Sequence, residues 1–183
     1  MGVATLRMLR RERGWTLEVL AERAGMTKSY LSKVERGHST PSIAVALSLA
    51  GALGVDVAAL FGELDGTSPI EIDRATGRDA GAAATPSDGS TYLGIATGIA
   101  GKQMLPFVLY PPADATPCTF RDHDGDEFVV VLSGEVELRF PDRVERLAAG
   151  DSAYFRGGVA HYFRSVGPDP AEVLAVIAAS TAP

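Results

Sequence analysis

The chain has 183 residues with 46% hydrophobic side chains, enough for one or two globular domains and against global disorder. A single cysteine excludes an internal disulfide and is typical of the reducing cytoplasm, and we expect neither a secretory signal nor a membrane span. The net charge of −6 is divided unevenly: residues 1–62 carry eight Lys/Arg and five Asp/Glu, a net +3, and the remainder carries −9. This asymmetry favours a first domain that binds a polyanion and an acidic second domain that binds something else.

Helical periodicity dominates the first 62 residues and predicts a small all-α domain of five helices. In the first helix, apolar side chains face the core and the arginines lie outside. Thr40 followed by Pro41 is a start signal for the fourth helix, with Thr40 as its N-cap. The five predicted helices cover residues 3–13, 16–24, 27–37, 40–54 and 56–61.

Residues 16–37 predict two short helices joined by a tight turn. Gly25 follows the apolar face of the first helix, where a left-handed backbone costs little, and Thr27 offers a side-chain oxygen to cap the second. Leu31 and Val34 form the inward face of the second helix, so its cations and small hydroxyls face outward. An exposed helix of this kind is suited to the DNA major groove.

A set of cap, turn and core positions in this stretch matches a known signature. The positions are Ala21, Gly25, Leu31, Ser32, Glu35-Arg36-Gly37 and Pro41-Ser42. Over about residues 5–62 they resemble the lambda-repressor-like, or XRE-type, helix–turn–helix. The resemblance implies DNA contacts, to base edges, phosphates or the backbone, from Thr16, Thr27, Lys28, Ser29, Lys33 and Arg36. The alternative is that the cations form only a solvated helix face, and Tyr30 could pack on the core edge or touch a phosphate.

Beyond the helices, residues 63–90 are predicted to form a linker and a mobile surface loop, with a short strand near residues 70–72. From Tyr92 the hydrophobic period changes to two, which predicts strands. The candidate strands cover residues 92–100, 103–110, 118–121, 127–132, 135–140, 144–147, 152–155, 161–165 and 172–178. Eight or nine short strands without helices favour a sandwich or a small barrel.

Two polar clusters lie in this β-rich region, at residues 121–127 and 150–161. They contain Glu127, Gly134, Gly150, Asp151, Gly158 and His161 at spacings that resemble the two motifs of the cupin superfamily. The resemblance covers about residues 90–180 and implies a double-stranded β-helix barrel. It also implies a metal site, whose ligands in this chain are His123, Glu127 and His161. Arg121 stands where the family commonly has a further histidine.

Two imidazoles and one carboxylate suffice for a divalent metal such as Zn, Fe or Ni. In a strand, Arg121 would point to the same side as His123, where its charge disfavours a second cation and favours an anionic ligand. A metal-free pocket for a small molecule is therefore an open alternative, as is the possibility that the histidines are unrelated surface residues. Candidate ligand-contacting residues are Arg121, Tyr92, Met104, Val131 and Phe163, with core packing as the simpler interpretation of the apolar ones.

The sequence therefore predicts a two-domain α+β protein. Residues 1–62 form the helix–turn–helix domain, residues 63–90 the linker and loop, and residues 91–183 an all-β cupin domain for sensing and dimerisation. We expect a cytoplasmic, non-enzymatic transcription regulator with no catalytic residue. As a homodimer it would bind a near-palindromic double-stranded DNA operator and respond to a small-molecule effector.

An enzyme is the alternative from a different class. A mononuclear non-haem iron oxygenase, resembling the hydroxypropylphosphonate epoxidases, could use His123, Glu127 and His161 as its triad. An enzyme that no longer binds DNA has no reason to keep the cationic recognition helix, which favours the regulator. A cupin isomerase is a third alternative, with no general base beyond the triad to support it. The sequence does not identify the effector, the target genes, or whether the regulator represses or activates.

Overall fold

A computed structural model of the chain describes residues 3–55, 60, 69–74, 89–99, 102–113 and 119–178. The chain divides into two compact units: Met1–Ile72 together with Ala96–Lys102, and Asp73–Ile95 together with Gln103–Pro183. The Glu71 carboxylate accepts a hydrogen bond of 2.8 Å from the backbone N–H of Gly98, which links the short later segment to the helical unit. The domain boundaries after residues 62 and 90 stay a prediction.

The helical unit contains four helices within its described residues. They are α1 (Val3–Glu12), α2 (Leu17–Arg23), α3 (Lys28–Glu35) and α4 (Ile43–Leu53). Thr16 and Thr27 cap α2 and α3 as expected, because each side chain accepts a hydrogen bond from the backbone N–H three residues later. Gly25, at a φ of 65°, is the left-handed residue of the turn between α2 and α3.

The core of this unit combines leucines with one buried ion pair. Residues with no exposed surface (0%) include Leu6, Leu20, Leu31, Leu49 and Leu60. Arg10 is also buried, and its Nε and Nη2 donate to the two carboxylate oxygens of Glu35 at 2.6 and 2.9 Å. The expectation that the arginines of α1 face outward is wrong for Arg10, because two charge-assisted hydrogen bonds allow a guanidinium to be buried.

Three further predictions for the first 74 residues concern the N-cap of α4, the fifth helix and a short strand. The Oγ of Ser42 accepts a hydrogen bond from Val45 N at 3.4 Å, so Ser42, and not Thr40, is the N-cap of α4. Apart from Leu60, the fifth helix predicted for residues 56–61 lies outside the described residues. Residues 69–74 form no strand, so the short strand expected near residues 70–72 is absent there.

The second unit is built from antiparallel strands. Within the described residues they are β1 (Thr91–Gly94), β2 (Met104–Tyr110), β3 (Asp126–Ser133), β4 (Glu135–Arg139), β5 (Val144–Ala148), β6 (Ser152–Arg156), β7 (Tyr162–Val166) and β8 (Glu172–Ala178). A five-stranded sheet has the order β1-β2-β8-β3-β6, and a three-stranded sheet has the order β5-β4-β7. This β-rich architecture agrees with the expected all-β domain.

The period of two selects which residues of each strand are buried. In β3, Glu127, Val129 and Val131 are buried, and the residues between them are more exposed. The register aligns Glu127 with Ile177 of β8 on one side and with Phe155 of β6 on the other. Glu127 therefore sits within an otherwise apolar, inward-facing row of the larger sheet.

Two predicted strands differ from the observed ones. β1 ends at Gly94 rather than near residue 100, because Ala96 has a left-handed φ of 52° that no extended strand accommodates. Of the strand predicted over residues 118–121, Cys118 lies outside the described residues and the rest forms no strand. Arg121 instead makes an isolated antiparallel bridge with His161, just before β7.

Candidate functional site

Helix α3, the candidate recognition helix, presents one polar face to solvent. All six residues expected to contact DNA are exposed, namely Thr16, Thr27, Lys28, Ser29, Lys33 and Arg36. The opposite face of α3 buries Leu31, Val34 and Glu35. The Oγ1 atoms of Thr16 and Thr27 accept the capping hydrogen bonds. A hydroxyl that accepts one hydrogen bond can still donate its own proton, and that of Thr16 is donated to the Glu18 carboxylate, which a phosphate oxygen could replace.

The orientation of α3 is held by α1 through the buried ion pair. Besides binding Glu35 of α3, Arg10 donates from Nη1 to the backbone carbonyl of Trp15 at 2.7 Å. The Trp15 ring in turn lies under the guanidinium of Arg23, 4.5 Å from its centre. One arginine therefore ties together α1, α3 and the residue that precedes the N-cap of α2.

Two cations of the exposed face already have local partners. The Lys28 ammonium forms an ion pair with Glu18 of α2, and this hydrogen bond lowers the pKa of Glu18. Arg36 donates from Nε to the carbonyl of Ser32 at 3.0 Å. Because these groups are exposed, a phosphate could replace either partner at little cost.

The second candidate site is a cluster of three side chains in the β-rich unit that could ligate a metal. His123 precedes β3, Glu127 is its second residue, and His161 precedes β7. The Nε2 atoms of both histidines approach the same carboxylate oxygen, Oε2 of Glu127, at 2.8 Å from His123 and 3.1 Å from His161. Candidate ligand atoms from all three residues lie within 4.8 Å of one another.

Backbone carbonyls orient both imidazoles. The Nδ1 atom of His123 lies 3.0 Å from the carbonyl oxygen of Asp124, and that of His161 lies 2.8 Å from the carbonyl oxygen of Val159. A carbonyl only accepts, so each Nδ1 must carry the proton and donate it. Both Nε2 atoms are consequently the ones directed at Glu127, as in histidines whose outer nitrogen is anchored to orient a metal ligand.

Burial and hydrogen bonding act in opposite directions on this cluster. Burial, the largest effect on Glu127, opposes its charge, but hydrogen bonds from His123 and His161 outweigh it and hold the pKa of the carboxyl below its usual value. Burial likewise works against a charged His123, but Glu127 and the Asp124 carbonyl raise the pKa of that imidazole overall. The site therefore favours a negative carboxylate at Glu127 facing positive charge at Nε2 of His123.

Aromatic rings surround the His161 end of the cluster. Its imidazole has ring centres of Phe155, Phe163 and Phe140 at 4.6, 6.0 and 6.5 Å, in addition to His123 at 5.5 Å. The contacts of His123, Phe155 and Phe163 with the His161 ring are edge-on and that of Phe140 is tilted, and such contacts fix ring orientation and keep the surroundings apolar. The three polar side chains of the cluster thus stand against a largely hydrophobic wall.

The predicted ligand-contacting residues are not all near this cluster. Phe163 contacts His161, and the paired backbone bonds of Arg121 with His161 put their side chains on one side of the bridge. Val131 and the half-buried Tyr92 belong to another row of the sheet. That row lies four residues along β3 from Glu127, which is about 13 Å in a strand.

Met104 has the opposite orientation. It pairs with Ala178, whereas its neighbour Leu105 shares the buried row of Glu127 and Ile177, so Met104 belongs to the outer face and is 62% exposed. Met104 therefore points away from the cluster.

Comparisons with known proteins agree with this division into two units. Residues 6–60 match the helix-turn-helix family, and residues 106–177 match the cupin domain family. The HTH-type transcriptional regulator SutR of Escherichia coli (strain K12) is 26% identical over 166 residues, covering 89% of this chain and 86% of SutR. The uncharacterized HTH-type transcriptional regulator y4dJ of Sinorhizobium fredii is 42% identical over 59 residues, covering 32% of this chain and 77% of that protein.

The chain belongs to the XRE-type helix–turn–helix transcriptional regulators. It is a DNA-binding regulator with a C-terminal cupin domain.

Solved structures agree at the level of the fold. A helix–turn–helix family transcriptional regulator from Vibrio cholerae has a TM-score of 0.68 and 21% identity, covering 96% of this chain and 93% of that chain. A hydroxypropylphosphonic acid epoxidase from S. wedmorenis has a TM-score of 0.50 and 21% identity, covering 96% of this chain and 95% of that chain. None of the described helices combines the length and the apolarity needed to cross a bilayer.

Sequence reasoning about the regulator missed two features of its sites. It overlooked the Arg10–Glu35 pair, although Arg10 follows the buried Leu6 by one helical turn and so shares its face. It also overlooked the two phenylalanines that join Phe163 around His161, because Phe140 and Phe155 lie far apart in the chain and only the packing of the sheets brings them together.

Proposed function

We propose that this regulator binds its operator through α3 and the adjoining helix ends, and that its cupin domain senses a small-molecule effector at a divalent metal ion. The observation that carries the sensing part is the convergence of two anchored imidazole Nε2 atoms on one oxygen of Glu127. The DNA contacts of individual residues, the metal, the effector and the dimer are the elements of this proposal.

The DNA-binding part rests on the exposed face of α3. Thr27 and Ser29 stand at the N-terminal end of the helix, where small hydroxyls can reach base edges or phosphates. Lys28, Lys33 and Arg36 supply cations whose phosphate contacts would release counterions and make binding salt-dependent. The remaining face is buried, so the helix can enter a groove without losing its place in the core.

The direct test is binding to DNA from the region upstream of the regulator's own gene. Fluorescence anisotropy with labelled duplexes at low salt should give saturable binding that weakens steeply as salt increases. Failure to bind any genomic fragment at low salt would contradict the operator proposal. Each duplex should be compared with a shuffled sequence of equal length, because affinity for phosphate alone does not distinguish the two.

The metal part rests on a fit between the cluster and a divalent cation. Two neutral imidazoles with protonated Nδ1 atoms would turn two lone pairs toward a carboxylate oxygen, which is unfavourable unless protons or a cation stand between them. Two histidines and one carboxylate with open positions suit Zn, Fe or Ni. When bound, the ion would act as a Lewis acid to which a donor atom of the effector could bind.

The side chains near the cluster constrain the effector that we propose. His161 borders an aromatic wall, and Arg121 lies beside it across the isolated bridge. A guanidinium would favour a carboxylate or a phosphate, and the rings would favour an apolar remainder. We therefore propose a small effector with one anionic, metal-binding group and an apolar body.

Metal content tests the sensing part independently of DNA. Protein purified without chelators should carry up to one Zn, Fe or Ni per chain by mass spectrometry, and metal-free protein should recover that stoichiometry by titration. A wild-type protein that neither retains nor takes up any of the three ions would refute the metal centre and leave the metal-free pocket as the alternative.

The homodimer that we propose would use the outer face of the five-stranded sheet. Large apolar side chains are exposed there, at 66% for Tyr154, 62% for Met104 and 41% for Phe128, and cross-strand pairing puts Tyr154 directly beside Phe128. Their edge carries an opposite-charge pair, Asp126 and Arg156, at 3.8 Å. A patch with an apolar centre and both charges at its rim can be complementary to its own copy about a two-fold axis.

Replacing one apolar residue on each sheet tests this dimer. Phe128→Glu should convert the regulator to a monomer in light scattering coupled to gel filtration, because it buries a charge in the proposed interface. Val144→Glu, at a similarly exposed position (47%) in the three-stranded sheet, is the matched control. A monomeric wild type, or equal behaviour of both variants, would count against this face.

A second candidate function is supported by the identity of the three ligands. Two histidines and one carboxylate are the ligand set of mononuclear non-haem iron oxygenases. The intact cationic face of α3 favours the regulator instead, because catalysis would not require it. Oxygen consumption by the iron-loaded protein separates the two: sustained uptake with a small-molecule substrate would establish an enzyme, and its absence together with operator binding would support the regulator.

A further inference from the structure

Gly157 lies against the ring of His123 more closely than any other residue type would allow. A Cβ atom built on Gly157 would be 2.4 Å from both Cε1 and Nδ1 of His123 and 2.7 Å from the carbonyl oxygen of Gly125. Contacts under 3.0 Å essentially do not occur for real Cβ atoms, so a side chain here would displace the ring or the loop. Gly157 is buried, in the turn that follows β6.

The backbone around this contact leaves little freedom to relax. The carbonyl of Gly157 accepts a 3.0 Å hydrogen bond from His123 N, and its N–H donates at 2.8 Å to the carbonyl of Gly125. The φ of Gly157 is outside the left-handed region, so any residue type could adopt its backbone. Glycine is therefore required at this position for space and not for conformation.

The ring position is also the position that directs Nε2 at Glu127. The imidazole is held from three sides, by the Asp124 carbonyl at Nδ1, by Glu127 at Nε2 and by the face of Gly157. Its side chain is 3% exposed, so it has no free space into which to swing without opening the loop. Loss of the Gly157 face would change the direction of Nε2.

We propose that Gly157 is a positioning residue of the metal centre. By having no side chain, it seats the His123 ring over the turn after β6 and so makes His123 a third ligand beside Glu127 and His161. Any side chain at this position would leave a two-ligand site with weaker metal binding. The inference rests on the proposed metal centre, and the experiments below separate failure of that centre from failure of the role of Gly157.

The first experiment compares adjacent glycines by titration with Zn²⁺ alone. Gly157→Ala should weaken zinc binding by about 10- to 100-fold, the range found when the support of a ligating histidine is lost. Gly158→Ala is the matched control: Gly158 is exposed, and its added Cβ would meet no atom within 4 Å. Its affinity should stay within about twofold of the wild type. Equal affinities of the two variants would overturn the inference.

A double-variant cycle tests whether Gly157 acts through His123. In the His123→Ala background, the further change Gly157→Ala should cause no additional loss of zinc affinity, because the ring that it displaces is gone. The same background should also recover part of any lowering of the melting temperature that Gly157→Ala causes alone, since the contact with the Gly125 carbonyl remains. Additive losses of affinity or an unrecovered melting temperature would assign the clash to Gly125 and contradict the role through His123.

Chemical modification tests the ring position without any metal. In metal-free Gly157→Ala, diethyl pyrocarbonate should modify His123 severalfold faster than in the wild type, as localised by mass spectrometry. The rate at His38, an exposed residue of the helical unit, should not change. If the wild type binds no zinc but His123 becomes reactive, the metal centre fails and the seating role stands. Unchanged reactivity overturns that role.

Discussion

Glu35 in the helical unit and Glu127 in the cupin unit are both buried carboxylates bound by nitrogen donors, yet their partners differ. Glu35 receives two hydrogen bonds from one guanidinium, each to a different oxygen, at 2.6 and 2.9 Å. Glu127 receives two imidazole nitrogens at one and the same oxygen. Arginine is always charged, so the first pair is complete by itself, whereas imidazoles titrate and need a proton or a cation.

The comparison indicates how to separate a structural buried ion pair from a candidate binding site. Burial is similar, with 7% exposure for Glu35 and 3% for Glu127, so it does not discriminate. The donor chemistry does: a bidentate guanidinium satisfies the charge of the carboxylate, but convergent Nε2 atoms leave an electrostatic requirement that protons or a divalent ion would meet.

The largest effect is expected from breaking the arginine–glutamate pair. Arg10→Ala should lower the free energy of unfolding of the helical unit by about 3–5 kcal/mol, because it leaves Glu35 buried without its counter-charge. Trp15, the single tryptophan, reports on this unit by fluorescence during urea denaturation. Arg11→Ala, at an exposed position of α1, is the control and should change stability by less than about 0.5 kcal/mol. Similar results for both would mean that the pair is unimportant.

The second effect is on metal binding through the other carboxylate. Glu127→Gln keeps the shape of the side chain but removes its charge. Loss of a residue that only supports a metal ligand costs up to about 100-fold in affinity, and zinc affinity should fall by more than this because Glu127 would itself be a ligand. Glu137→Gln is the control, because Glu137 is also largely buried but is bound by Arg139 and Arg146 on the three-stranded sheet. Calorimetric titration of both with zinc should reveal a loss only for Glu127, and an equal loss would break the distinction.

Dependence on pH sharpens the same contrast in metal-free protein. The raised pKa of His123 contributes stability that is complete below the pKa of the unfolded chain and is lost as pH rises through the folded value. The lowered pKa of Glu127 contributes stability above its unfolded value that is lost as pH falls through the folded one. The cupin unit should therefore be most stable between these limits and should weaken toward alkaline pH.

The helical unit serves as the internal reference for this experiment. The hydrogen bond with Glu35 raises the pKa of Arg10 beyond an already high value, so its ion pair persists through alkaline pH. Above neutral pH, the melting temperature measured by Trp15 fluorescence should therefore change less with pH than the melting temperature measured by the β-sheet circular dichroism signal. If the two melting temperatures changed in parallel with pH, the Arg10–Glu35 pair and the histidine–Glu127 cluster would not differ in the proposed way.

The smallest effect is expected on the exposed face of α3, the helix that the Arg10–Glu35 pair holds in place. Lys33→Ala should weaken DNA binding modestly and reduce the slope of log affinity against log salt by about 1, as expected for one lost phosphate contact. Arg143→Ala, 63% exposed on the cupin unit, should leave the slope unchanged. Because Lys33 is exposed and makes no part of the core, its variant should keep the stability that Arg10→Ala loses.

Local signals in the sequence were sufficient for most of the helical unit. The caps Thr16 and Thr27 and the turn at Gly25 are decided within three or four residues, so the first three helices were predicted within a few residues of their ends. The N-cap of α4 was wrong because Thr40 and Ser42 offer equivalent oxygens, and only the folded chain selects one.

Long-range pairing explains what the sequence left open in the cupin unit. Alternation identified the strands, but the bridge of Arg121 with His161 and the outward position of Met104 follow from register, which joins residues far apart in the chain. For the same reason, residues 119–121 do not form the strand that was predicted over residues 118–121.

The sequence by itself determined the two-unit organisation, the exposed recognition helix and the identity of His123, Glu127 and His161 as candidate ligands, because periodicity, capping and motif spacing are local properties. Only the tertiary structure decided that Arg10 is buried on Glu35, that both Nε2 atoms meet one oxygen of Glu127, and that Gly157 leaves room for the ring of His123. These outcomes depend on which distant segments pack together, and the free energy of that packing is not encoded in any single stretch of the chain.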